Sequence, residues 1–298
     1  MVETVELTVP ARDGFALASR LLIPPGEPRG TILINPATGV RKGYYLPFGE
    51  FLAARGWRVA TFDNRGIGGS RPARLRGFDA RMQDWAELDS EGMLRWLAGE
   101  FPRQPTLLVG HSFGGQALGL FPAARQLTAA LLVAVQSGYW GHWPLWQRPR
   151  ILFLWYMMIP VTTALLGYFP ARRLGLGEDQ PAGVARQWAH WGRHRAYLLR
   201  DGNETWKAGY KALTLPILGL GLSDDSYAPR RAMAAILALY SRAQVEHRHV
   251  VPGERGLGAV GHFGFFRPRF RATLWEEAAE WLERRGGWTR TGADSLGR

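Results

Sequence analysis

Apolar and polar residues alternate over residues 3–9 and again over 15–23, around Ala11-Arg12-Asp13-Gly14. This period-two pattern on either side of a turn predicts a β-hairpin. Further along, the apolar positions stop alternating and become short continuous runs: TILIN (31–35), RVATFD (58–63), TLLVG (106–110), AALLVAV (129–135), PILGLGL (216–222) and VEHRHVV (245–251). Runs of this kind predict strands buried on both faces. Between them, apolar residues recur at helical spacing near 45–55, 81–99, 113–125, 228–240 and 272–285. Strands alternating with helices predict a mostly parallel, eight-stranded sheet covered on both sides.

Residues 138–212 break the alternation, with no strand pattern, and the sequence predicts a helical lid inserted in the sheet. The core is then 1–137 with 213–286, and Gly287 to Arg298, small and polar, is expected to be a flexible tail. The insertion holds seven of the 13 tryptophans. Within it, Ile151 to Ala171 is uncharged and long enough to span a bilayer. Pro160 interrupts the run, and arginines flank both ends, so no orientation is specified. A span would also put the two halves of one sheet on opposite sides of a membrane. Shallow membrane contact is the stronger form of that reading.

The 298 residues carry a net charge of +12. Of the 37 basic residues 34 are arginines, which points to codon bias more than to a selected nucleic-acid face. Half of the net charge falls in 138–212, and Arg65, Arg71, Arg74, Arg76 and Arg81 crowd the loop after the fourth strand. These five could draw an anionic substrate, although a solvated loop is the simpler reading; Asp63 and Arg65 are expected to pair within the turn. No nucleic-acid motif is present. With no cysteine, disulfides, thiolate metal sites and a cysteine nucleophile are excluded. The first residues carry no basic stretch followed by an apolar run, so no signal peptide is expected and the chain reads as cytoplasmic, with a membrane-peripheral alternative.

Gly110-His111-Ser112-Phe113-Gly114-Gly115 follows a predicted strand and opens a predicted helix. Small neighbours allow a sharp turn that lifts the Ser112 hydroxyl clear of the sheet, and the helix N-terminus offers N–H groups to an oxyanion. A serine needs a base. Of seven histidines, His111 is expected to point into the sheet. His190 and His194 stand at metal-like i, i+4 spacing, but no carboxylate accompanies them, so no metal is expected. His247 and His249 read as structural, and His142 has no context. His262 lies between the last strand and the last helix, where sites of open α/β sheets assemble. An acid must orient that imidazole. Asp224 and Asp225 both follow a strand; the spacing to Pro229 favours Asp225, with Asp224 as the alternative and the outward one capping the next helix.

The chain order Ser112, Asp225, His262 resembles the α/β-hydrolase superfamily. Asp63-Asn64-Arg65-Gly66-Ile67-Gly68-Gly69-Ser70 is similar to the family's D-x-R-G-x-G-x-S turn. LGLGEDQPAGVARQWAHW and GHFGFFRPRF resemble a bacterial subgroup labelled serine aminopeptidase-like. The resemblance implies an α/β-hydrolase fold and oxyanion donors at the backbone N–H of Phe113 and Ala37. It departs from the family at Asn35-Pro36-Ala37-Thr38-Gly39, where H-G-x-G is usual; Asn35 and Thr38 are read as turn-forming, with an added donor as the alternative. The expected activity is cleavage of a carboxylic ester with an apolar acyl group, without cofactor or metal. The alternatives are a peptidase, amidase or acyltransferase with the same triad, or a non-catalytic anion or membrane binder. Oligomeric state stays open.

Overall fold

The computed structural model describes residues 1–202 and 204–287. Apart from Gly287, the expected tail lies outside the described residues. The hairpin forms as read: β1 (Glu3–Pro10) pairs antiparallel with β2 (Ala16–Ile23). It continues into β3 (Thr31–Asn35), β4 (Arg58–Phe62), β5 (Thr106–His111) and β6 (Ala129–Val133), each almost wholly buried because helices cover both faces. After the inserted segment come β9 (Pro216–Leu222) and the edge strand β10 (Gln244–Val250). The order is β1-β2-β4-β3-β5-β6-β9-β10, parallel from β4 to β10. This is an α/β-hydrolase fold.

One apolar layer, with Trp85, Leu97, Leu118 and Tyr240, fills one side of the sheet; the other holds Phe48, Trp57, Phe265 and Trp275. The helix expected over 113–125 is corrected. It splits into Phe113–Gln116 and the tighter turns Ala117–Leu120 and Pro122–Gln126. Pro122 supplies no N–H to continue the helix.

Between β6 and β9 the chain is mainly helical: a continuous helix Arg148–Leu166 with a wide turn at Leu154–Met158, then Ala182–Gly192 and Glu204–Ala212. Trp155, Ile159, Phe169, Ala185 and Ala189 form its own small core. The expectation of no strand here is corrected, since β7 (Tyr168–Phe169) and β8 (Gln180–Pro181) pair antiparallel. Two residues per strand are too few to show an alternation.

Candidate active site

β5 ends in a turn that the backbone can make only with small neighbours. Ser112 has φ 49° and ψ −119°, a conformation costly for a residue with a Cβ. A Cβ on Gly114 would stand 2.1 Å from the Asn35 carbonyl oxygen, and one on Gly110 would stand 2.5 Å from the Cα of Gly115. The close approach is fastened by the Asn35 side chain: its Nδ2 donates to the Gly114 carbonyl at 2.7 Å and its Oδ1 accepts from the Ser90 hydroxyl at 3.0 Å. Asn35 is thus a tie beneath the turn. The turn leaves the Phe113 N–H at the first helical position, where no intrahelical acceptor exists.

His262 lies on the short helix Gly261–Gly264 beyond β10. Its Nδ1 donates to Asp225 Oδ2 at 2.7 Å, with the imidazole 5% and the carboxylate 0% exposed. The other carboxylate oxygen accepts the N–H groups of Tyr227 and Ala228, at 2.8 and 3.0 Å. Asp224 faces the other way, and its Oδ2 accepts the Val260 N–H at 2.7 Å. The expectation that the outward aspartate caps the next helix is therefore corrected. Asp224 ties down the loop that carries His262, and the helix Arg230–Leu237 begins after Pro229 with no side-chain cap.

His111 is fully buried, as expected, but it has a task there. Its Nε2 lies 3.0 Å from the His262 carbonyl oxygen, which can only accept, so Nε2 carries the proton. Burial holds its pKa well below the ordinary histidine value, and the ring stays neutral. Nδ1 is then an acceptor, and the Tyr45 hydroxyl donates to it at 3.0 Å. The Tyr45 oxygen in turn accepts the Ala37 N–H at 2.8 Å. This chain corrects the expectation for Ala37. Its N–H is aimed at a fully buried phenol, so it is not a free oxyanion donor.

Sequence reasoning missed Gln136, which lies three residues beyond the end of β6. Its carboxamide lies 3.3 Å from Ser112 Oγ, while Gln116 Nε2 donates to Gln136 Oε1 at 3.0 Å and the Tyr197 hydroxyl donates to Gln116 Oε1 at 2.9 Å. No hydrogen bond joins Ser112 to His262 among the described residues. Both line one cavity of about 240 Å³. Trp143, Trp155 and Trp188 of the inserted segment form its apolar wall, with Gln136 on the polar side.

A model for the family described as "Serine aminopeptidase, S33" (Hydrolase_4) matches residues 26–183, just over half of the chain. The chain belongs to this family of α/β-hydrolases. The matched stretch includes Asn35 to Gly39 and Ser112 and ends before Asp225 and His262. No curated protein matches. Among solved structures, the α/β-hydrolase is similar to a lipase in an open form, at 17% identity and TM-score 0.66, over 96% of this chain and 100% of that one. It is similar to a Pyrococcus furiosus esterase at 13% identity and TM-score 0.58, over 95% and 93%. A Pyrococcus horikoshii acylaminoacyl peptidase matches at 15% identity and TM-score 0.59, over 97% of this chain and 43% of that one. At such identities the likeness is one of fold.

Other expected residues of the hydrolase lie away from the cavity. None of the five loop arginines lines it. Arg65 is buried and paired with Asp89 at 2.7 Å and with Asp13 at 2.8 Å, which corrects the expected pairing with Asp63. Full burial pushes the Asp89 carboxyl up to about 7, with the Arg65 guanidinium pulling it the other way. Asp63 instead accepts the N–H groups of Lys42 and Gly69 at 2.6 and 2.8 Å. Arg76 donates to the carbonyls of Leu165 and Leu166. A carboxylate does accompany His190, contrary to expectation: Asp201 lies 3.1 Å from its Nε2. Even so, no cluster of three metal-ligating side chains occurs among the described residues. His142 is turned against the Tyr139 ring, and His247 and His249 face each other on the edge strand.

Proposed function

We propose that this α/β-hydrolase is a serine esterase that cleaves carboxylic esters with apolar acyl groups through an acyl-enzyme. The observation that carries this is the buried Asp225–His262 contact of 2.7 Å in the cavity that Ser112 also lines. With Nδ1 held as donor, the neutral ring keeps Nε2 unprotonated, in the tautomer that can act as base.

Ser112 Oγ attacks the ester carbonyl as its proton passes to His262, and the imidazolium is stabilised by Asp225. The tetrahedral oxyanion is held by the Phe113 N–H at the helix N-terminus. Collapse breaks the bond to the leaving alcohol, which takes the proton from His262. Water, deprotonated by the same imidazole, then attacks the acyl-enzyme and releases the acid and Ser112. Residues 138–212 act as the lid over this site, and no cofactor or metal takes part.

An ester is preferred to an aminoacyl substrate because the cavity is mostly apolar and no carboxylate is among its described lining residues to bind an α-ammonium group. A fluorophosphonate is expected to label the wild type and to fail on Ser112→Ala and His262→Ala. A folded wild type that does not label overturns the serine mechanism. Across aryl esters of increasing acyl length and aminoacyl amides, faster turnover of the amides overturns the ester assignment.

A further inference from the structure

The helix Arg148–Leu166 is the one helix among the described residues long and apolar enough to cross a bilayer, yet it is fixed along one side to the protein. Trp155, Ile159 and Thr163, four residues apart, are buried against the inserted segment. The opposite ridge is Phe153, Met157, Val161 and Leu165, also four apart, at 54%, 53%, 45% and 71% exposed. Tyr156 adds to it, and Leu145 and Trp146 extend it just before the helix, at 75% and 78% exposed. A ridge of large apolar side chains in water is costly unless something covers it.

The surrounding charge says what covers it. From Phe101 to Gly177 the chain contains no acidic residue. Arginines meet this helix along its whole length. Arg148 and Arg150 stand at its start, and Arg193 donates to the Trp155 carbonyl and lies over the Tyr156 ring. Arg186 donates to Thr163, Arg76 donates to the last carbonyls, and Arg172 and Arg173 are exposed just beyond. Among the described residues none of these seven guanidinium groups pairs with a carboxylate. An apolar ridge framed by unpaired arginines matches an acyl layer under anionic headgroups.

We propose that this face docks on anionic lipid bilayers, with the helix lying in the plane of the surface. Phe153 belongs to both features, since it is exposed on the ridge and lines the cavity, so docking turns the cavity mouth to the lipid. A bilayer-borne ester as substrate is a corollary that rests on the esterase reading; the docking itself does not.

The test is sedimentation of the full chain with phosphatidylcholine vesicles, with and without phosphatidylglycerol. The wild type is expected to bind the phosphatidylglycerol vesicles at low salt and to weaken as salt rises. Neutralising Arg172→Gln and Arg173→Gln together should weaken binding by about five-fold per arginine. The double variant Met157→Asp, Leu165→Asp should lose binding while keeping wild-type circular dichroism and fluorophosphonate labelling in solution. Failure of the folded wild type to bind at low salt overturns the proposal, as does undiminished binding of the aspartate variant. A dimer that the aspartate variant abolishes, with no vesicle binding, assigns the face to a second copy. Absent labelling with intact vesicle binding overturns the serine mechanism alone.

Discussion

The Ser112 hydroxyl rests 3.3 Å from the carboxamide of Gln136, which is itself held by Gln116 and, through it, by Tyr197. Gln136 Oε1 and Nε2 both lie 3.3 Å from Oγ, so the carboxamide can accept from the hydroxyl or donate to it. That bond steadies the hydroxyl at rest and must loosen before it turns to His262. A neutral hydrogen bond of this kind is worth about 1 kcal/mol, or about five-fold in rate. Gln136→Met, which keeps the bulk, is therefore expected to react with a fluorophosphonate about five-fold faster at the same pH. Slower labelling would mean that the carboxamide aims Oγ toward the imidazole.

The two adjacent aspartates have separable tasks. Asp225→Asn removes the acceptor that fixes the His262 tautomer and is expected to lower kcat by about 10³–10⁴-fold with the fold intact. Asp224→Ala loses only the bond to the Val260 N–H, with an expected cost of about 1–2 kcal/mol in denaturant unfolding and a change in kcat within a few-fold. Reversed effects in the two variants would exchange their roles.

Tyr45 joins the loop after β3 to the base of the site, accepting from Ala37 and donating to His111. Tyr45→Phe leaves a buried N–H and a buried imidazole nitrogen without partners. The expected cost is about 2–4 kcal/mol of stability, measured in urea, with little gain in kcat. A rise in kcat of a hundred-fold with unchanged stability would show instead that the freed Ala37 N–H reaches the oxyanion.

His111 gives stability a pH dependence of known sign. Burial lowers its folded pKa, so below the unfolded value of about 6.5 the unfolded chain takes up a proton that the folded one refuses. This contribution is present above that pH and is lost as the pH falls. Asp89, with its carboxyl pushed up, runs the opposite way over much of the same range, so the His111 share must be read as a difference. His111→Gln keeps a donor for the His262 carbonyl. Its stability is expected to fall less steeply between about pH 6 and 5, by up to about 1.4 kcal/mol per pH unit. Parallel curves for the two proteins would refute this.

What the sequence made legible is what backbone sterics and periodicity enforce. Gly110 and Gly114 mark the turn at Ser112 because any Cβ there collides with a neighbouring backbone. The buried strands are marked because each must be apolar on both faces. The rest depends on contacts that no local pattern encodes. Asp224 and Asp225 differ only in which group of one loop their carboxylates meet, the Val260 N–H or the His262 ring. The direction of the Ala37 N–H is set by Tyr45, which ends a helical turn eight residues further along the chain. Arg65 has Asp63 as its neighbour in sequence, but Asp89 and Asp13 are its partners because the turn points the two side chains apart. Gln136 carries no motif; its one sequence signal was its place just past the apolar run 129–135, beside the strand that ends before Ser112.

The inserted segment is held unevenly. Near its end, a Cβ on Gly209 would stand 2.0 Å from the Gly119 carbonyl oxygen; Tyr210 donates to the Gln116 carbonyl, and Trp206 donates to Glu87 at 2.7 Å. By contrast, Arg148–Leu166 rests chiefly on Trp188, Ala185 and Ala189 of the segment itself. The cavity thus has its base on the sheet, where Ser112, Gln116 and Gln136 line it, and a wall of Ile151, Phe153, Leu154, Trp155 and Met158 carried on an arm. On the esterase reading proposed above, the base would set which bond meets Ser112 and the arm how large an acyl group enters. The two properties can then diverge independently, since residues of the arm can change without disturbing the geometry beneath.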